Sequence, residues 1–353
     1  MTGGRGENEK ARLLVVGHGL IGRAHAERIR AHPQTELAGI VDPSPAVEAE
    51  AAGLAVPLFA DLAEAVDALA PDGVVLATPN RLHEAGALTA LGRGVPVLIE
   101  KPIADDFEAA KRIVAEQHRT GVAALVGHHR RHGTAVRRAI EAVRGGAIGE
   151  VVTVSGLTLF LKPADYFDTE WRRLPGAGPI LVNLIHDIDL VRAIAGEIVE
   201  VQALVSNRRR GFAVEDTAGI LARFENGAIG TFVVSDTAVS PWSWETTSGE
   251  APVYPRNDEH CLHIAGTRGA LSLPDLTLWR HPEPTGWYRP LERTSLAGPR
   301  VDPLVEQISN FVAVIRGEAA PRVDAAEGAR TLAVVEAIRR AATTGETVRV
   351  PAI

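Results

Sequence analysis

Between residues 12 and 126 the chain alternates short apolar runs with stretches of helical spacing, and few folds accommodate that rhythm. Arg12–Val16, Glu36–Val41, Gly73–Ala77, Val95–Ile99 and Val122–Val126 read as buried strands. Leu20–Ala31 and residues 61–69, 80–93 and 105–120 read as helices, with Asp61 and Asp105 as N-caps. The expected fold class is α/β: a doubly wound parallel sheet with a binding crevice at the carboxyl ends of its strands.

Beyond residue 127 the rhythm changes. Val151–Leu159, Val199–Ser206, Gly219–Phe224, Ile229–Val234 and Leu262–Ala265 resemble strands of a second sheet, and Asn226-Gly227 marks a hairpin between two of them. A helix is expected over Pro179–Ala195, and two more close the chain at 303–317 and 325–344. The second domain is therefore α+β, with a large, mostly antiparallel open sheet. The expected layout is a loose tail over 1–10, a nucleotide-binding domain over 11–127 and a substrate and oligomerisation domain over 128–353.

At 353 residues and 46% hydrophobic composition, the chain can build two packed cores. It has no apolar run of the ~20 residues a bilayer span needs, and its polar start lacks a signal core. The net charge of −7 gives no global attraction to nucleic acid or a membrane surface. The lone Cys261 can make no internal disulfide. A cytoplasmic protein acting on a small molecule is expected. No metal site is expected: His128 and His132 share a face only in a helix, and His260-Cys261-Leu262-His263 splits its histidines.

Gly17-His18-Gly19-Leu20-Ile21-Gly22 directly follows a predicted strand and opens a predicted helix. Gly17 permits the tight turn, Gly19 lets backbone approach a pyrophosphate, and Gly22 lets helix pack on strand. The N–H groups from Gly19 through Leu20 and Ile21 can then hold the phosphates. Asp42 ends the next strand, where its carboxylate suits the adenosine ribose hydroxyls and repels a 2′-phosphate. NAD is therefore expected over NADP. Thr78-Pro79-Asn80 with His83, and Glu100-Lys101-Pro102, close two further strands at the same edge. The topology aims Lys101 at the crevice. A cis Pro102 would set its direction.

These motifs, with His25 and Ile185-His186-Asp187-Ile188-Asp189, resemble the glucose–fructose oxidoreductase / inositol dehydrogenase / rhizopine catabolism family, Gfo/Idh/MocA. The likeness extends to the Gly266-Thr267-Arg268-Gly269 turn and the closing helices. It implies a Rossmann domain, a second domain on an open sheet, hydride exchange with a sugar or cyclitol hydroxyl, and homodimers or homotetramers formed through that sheet.

Oxidising a secondary alcohol needs a base. Lys101 can serve if partial burial and a nearby positive nicotinamide lower its pKa from ~10.4. His186 titrates near neutrality and can bond or relay the same proton. Similar family members carry an aspartate four residues before the histidine. Here that position is Val182, and Asn183 is the nearest polar substitute.

His128 is expected at the nicotinamide edge, and His129 and Arg130 near substrate oxygens. Tyr166, Trp171 and Arg172, with Trp242 and Trp244 on one face of an extended stretch, can line a sugar pocket. The tryptophans can equally fill a core. Asn207–Gly211 reads as an exposed hairpin loop. The leading reading is an NAD-dependent dehydrogenase. Its alternatives are an NADH-dependent reductase of a keto-sugar or imine-type substrate, and a non-catalytic dinucleotide-binding sensor.

Overall fold

A computed structural model describes residues 9–282 and 286–353. Most of the tail expected over 1–10 therefore lies outside the described residues. The chain opens with β1 (Ala11–Val16), α1 (Leu20–Ala31), β2 (Thr35–Val41), α2 (Glu48–Leu54), β3 (Leu58–Phe59), α3 (Leu62–Leu69), β4 (Gly73–Leu76), α4 (His83–Gly92), β5 (Val97–Ile99), α5 (Phe107–Thr120) and β6 (Ala124–Val126). Then come α6 (Thr134–Arg144), β7 (Val151–Leu159), a π-helical stretch Ile180–Leu184, α7 (Ile185–Ala195), β8 (Ile198–Ser206), β9 (Thr217–Phe224) and β10 (Ile229–Ser235). The chain continues through α8 (Trp244–Thr247), β11 (Leu262–Gly266), β12 (Ala270–Leu273), β13 (Thr277–Arg280), β14 (Glu292–Ser295), α9 (Pro303–Ile315), α10 (Ala325–Thr344) and β15 (Val348–Arg349).

The first sheet has the order β3-β2-β1-β4-β5-β6, parallel throughout. Its order reverses between β1 and β4, the topological switch point where such sheets bind ligands. The alternation of runs shows β1 and β2 clearly because both are nearly fully buried. The two-residue β3 and the alanine-rich α2 carry too little apolar pattern to register. The cap of α5 is Asp106, one residue beyond the expected Asp105, and it accepts the Ala109 N–H at 2.7 Å. Asp61 caps α3 as expected, accepting the Glu64 N–H at 3.0 Å.

The closing helices correct the expected domain layout. Internal contacts group the chain up to His132 with Asp302–Leu332, and Gly133–Val301 with Ala333–Ala352. Ile308, Phe311 and Val312 of α9 share one core with Leu13, Val15, Val75 and Leu98. The fit is tight enough that a Cβ on Gly73 would lie 2.8 Å from the rings of Phe311 and the tip of Ile315. Apolar complementarity rather than chain order decides where α9 packs.

The second sheet has nine strands ordered β14-β13-β12-β11-β7-β10-β9-β8-β15. Every pair is antiparallel except β7 with β10. Asn226-Gly227 turns β9 into β10, with Gly227 at φ 86° and the Asn226 Oδ1 accepting the Ala228 N–H. The helix expected over Pro179–Ala195 is not uniform: the Ile185 N–H reaches back five residues to the Ile180 carbonyl before α-helical bonding takes over.

Candidate active site and dinucleotide cradle

The loop from β1 to α1 has little room. Gly17 has φ 84°, and a Cβ there would meet the Ala77 carbonyl oxygen at 2.7 Å. A Cβ on Gly22 would fall 1.9 Å from the Gly17 oxygen. Gly19, the N-cap of α1, has open space in front of it and offers no side-chain cap. The first N–H groups of α1 thus point outward without intrahelical acceptors, the arrangement that binds an anion. Leu20 and Ile21 are exposed beside them.

Asp42 is fixed by backbone: its two oxygens accept the His18 N–H at 2.8 Å and the Ser44 N–H at 2.9 Å. Each oxygen keeps acceptor capacity for a ribose hydroxyl. At the end of β4 the buried Thr78 Oγ1 has no hydrogen-bond partner. An orphaned buried hydroxyl at a switch point is what a bound ligand would satisfy. The glycine cradle, the fixed carboxylate and this hydroxyl fit a dinucleotide.

His83 turns its ring inward. Its Nδ1 lies 2.8 Å from the Pro102 carbonyl and its Nε2 2.9 Å from the Thr78 carbonyl, and burial pushes its pKa down. The ring joins the two strand-end loops that flank Pro79, Asn80 and Lys101. The Lys101-Pro102 peptide is cis, and Lys101 is half-buried.

Beside Lys101 lies a buried histidine–carboxylate hydrogen bond that no local sequence pattern connects. The Glu100 carboxylate sits 2.7 Å from His25 Nε2 and accepts the Lys101 N–H at 3.1 Å. Burial alone would raise the Glu100 pKa. The His25 hydrogen bond and the charges of His25, His129 and Lys101 overcome that and hold it at about 2. A shared motif pointed to each residue, but their 75-residue separation hid the bond. His128 is buried, and burial with the charge of Arg130 pushes His129 down to about 3, so its imidazole is neutral at pH 7. Arg130 is buried, and the neighbouring Arg131 pairs with Glu327 at 2.8 Å.

In the second unit His186 and Asn183 are both buried, and the Asn183 Oδ1 has no hydrogen-bond partner. The wide π turn leaves a three-residue spacing further short of a full revolution than an α-helix would. Asp187 is structural, accepting the Thr158 hydroxyl on β7. Arg172 stacks on the Tyr166 ring at 4.1 Å and on Trp171 at 5.6 Å, bringing three expected residues together.

Trp242 and Trp244 do not share an extended face. Ser243 caps α8, which buries Trp244 and lets its Nε1 donate to Glu250 at 2.7 Å, while Trp242 stays 42% exposed. The loop over Asn207–Gly211 is exposed as expected except at Arg210, whose side chain turns back onto the fold. Arg210 folds onto Asp236 at 2.9 Å and stacks on Phe167 at 4.0 Å, with the buried Lys162 3.7 Å from the same carboxylate. No local pattern joins Lys162, Arg210 and Asp236.

Among the described residues no cluster of histidine, cysteine or carboxylate side chains suits a metal, and no helix is long and apolar enough to cross a membrane. Residues 11–128 match the oxidoreductase family model for the NAD-binding Rossmann fold, and residues 136–272 match the Gfo/Idh/MocA C-terminal domain. The chain is 27% identical to inositol 2-dehydrogenase of Rubrobacter xylanophilus over 94% of its length and 91% of that protein's. It is also 27% identical to the rhizopine catabolism protein MocA of Rhizobium meliloti, over 53% of this chain and 57% of that one. Among solved structures, the WlbA dehydrogenase of Bordetella pertussis, in complex with NADH and UDP-GlcNAcA, superposes with a TM-score of 0.79 at 26% identity. That match covers 98% of this chain and all of that one. With a glycine cradle and acid-ended second strand in one unit and a nine-stranded open sheet in the other, the chain belongs to the Gfo/Idh/MocA family of NAD-binding oxidoreductases.

Proposed function

We propose that this protein is an NAD-dependent dehydrogenase oxidising a secondary hydroxyl of a sugar, sugar derivative or cyclitol. The observation that carries the reading is Lys101: a half-buried amine at the carboxyl edge of the sheet that holds the dinucleotide cradle. Its main chain is set by Glu100 and by the His83 brace on Pro102. The names of the relatives in inositol and rhizopine metabolism agree with it.

NAD, when bound, supplies the hydride acceptor. Lys101 takes the hydroxyl proton, and His186 bonds that hydroxyl or passes its proton on. His129, neutral at pH 7, adds no positive charge that would oppose a protonated Lys101. Asn183 offers an unpaired amide oxygen in place of the carboxylate absent at Val182; it orients a hydroxyl and cannot act as a base. Tyr166, Trp171 and Arg172 form the sugar-facing wall. The same groups acting in reverse would reduce a keto-sugar.

We further propose that copies associate through the second sheet. Leu157, Val233, Gly219 and Leu204 lie side by side across β7, β10, β9 and β8. Leu204 is 80% exposed, and the neighbouring Leu221 is exposed too. A partner sheet would cover this stripe.

The test is a panel of sugars, glycosides and inositols with NAD, read by NADH absorbance. Turnover of at least one polyol is expected. Tight NADH binding with no turnover of any member, in either direction, would make the protein a dinucleotide sensor instead.

A further inference from the structure

A second carboxylate stands near Asp42, linked to it through His18. Glu50, in the first turn of α2, places Oε2 3.2 Å from His18 Nε2 and 3.1 Å from Arg23 Nε. Arg23 directly follows Gly22, and its Nε also lies 3.2 Å from the His18 carbonyl. The His18 N–H is the donor that holds Asp42. Glu50, Arg23, His18 and Asp42 therefore form one contiguous patch where the glycine loop meets the end of β2.

A 2′-phosphate would bring close to two negative charges and calls for a cation, best a guanidinium with its forked donors. Pro43 and Ser44, which follow Asp42, provide none. Arg23 is the guanidinium on this patch, and Glu50 engages it. We propose that Glu50 is a second determinant of NAD specificity: it ties up Arg23 and His18, so that a 2′-phosphate meets two carboxylates and an arginine already committed to one of them. This rests on reading the loop as a dinucleotide site, and it adds a prediction that Asp42 alone does not make. Replacing Asp42 should give only part of the gain for NADPH while Glu50 still holds the arginine.

Fluorescence titration with NADH and NADPH tests this on the wild type, Glu50→Gln, Arg23→Gln and the double variant Glu50→Gln/Arg23→Gln. Glu50 and Arg23 have side chains 41% and 54% exposed, so the released interaction is modest. Glu50→Gln should tighten NADPH relative to NADH by roughly 3- to 5-fold at low ionic strength, the scale of an exposed ion pair, and the gain should shrink as salt rises. Adding Arg23→Gln should remove most of it, leaving only the relief of direct repulsion. An unchanged NADPH-to-NADH ratio in Glu50→Gln overturns the proposal, as does a gain undiminished by loss of Arg23. Failure of the wild type to bind either dinucleotide would refute the site itself, a separate and recognisable result.

Discussion

Glu100→Ala removes the carboxylate that joins His25 of α1 to the main chain of Lys101. The lost contacts are the His25 bond at 2.7 Å and the Lys101 N–H bond at 3.1 Å, both inside a site where His25 has no exposed surface and Glu100 is 8% exposed. Removing one partner of such a buried pair costs about 3–5 kcal/mol, because the other is left uncompensated. For a unit of this size that lowers the melting temperature by roughly 10 °C at pH 7. Glu100→Gln should cost less, since its amide oxygen can still accept from the Lys101 N–H and the side chain keeps its size.

The acid limb separates the two variants from a simple packing loss. The folded pKa of Glu100, at about 2, lies below the usual 4.5. Its stabilisation is therefore complete above about pH 4.5 and is lost as pH falls toward 2. His129, lowered to about 3 from 6.5, also destabilises the fold as pH falls from about 6.5 toward 3; the Glu100 charge raises its pKa, but above about pH 3.5 the folded imidazole stays largely unprotonated with or without that charge, so wild type and variants differ little in this contribution. Calorimetry or urea titration from pH 7 down to 3.5 should show the wild type converging on Glu100→Gln. A loss below about 1 kcal/mol in Glu100→Ala at pH 7, where ~3–5 is expected, would refute the assignment of a strong buried pair. So would a pH-independent gap between wild type and Glu100→Gln.

Three further outcomes are expected. Lys101→Ala should lower kcat by roughly 10²–10⁴ while NADH titration stays near wild type, and near-normal turnover removes it from the chemistry. Gly22→Ala should abolish NADH binding, because its Cβ would sit 1.9 Å from the Gly17 oxygen and must push α1 off the turn; retained affinity would mean the loop is not the cradle. Asn183→Ala should raise KM and lower kcat together, by about 10- to 100-fold in kcat/KM for a lost substrate hydrogen bond. If it is silent and Val182→Asp leaves the pH–rate profile unmoved, this helical turn does not touch the substrate.

Local chemistry made much of this protein legible from its residues alone. Gly17, Gly19 and Gly22 work through backbone room within six positions, so a short window suffices to find them. Leu20–Ala31 and Val151–Leu159 have the bounds that their periodicity predicts, because one dominant pattern runs through each. Asp42 was readable because the end of β2 is a fixed distance along the chain from the glycine loop.

What tertiary structure alone decided is every relation made across long separations or against local preference. The pairing of His25 with Glu100, of Glu50 with Arg23, and of Lys162 and Arg210 with Asp236 depends on which strand ends the sheets bring together. No periodicity encodes such meetings. The π turn before His186 changes which side chains share its face, although the apolar run reads as an ordinary helix. The placement of α9 against β1 and β4 follows from Phe311 filling the space that Gly73 leaves, a fit between residues 238 apart in chain number (311 − 73). Sequence patterns report what neighbours in the chain can do, whereas packing and buried charge depend on neighbours in space.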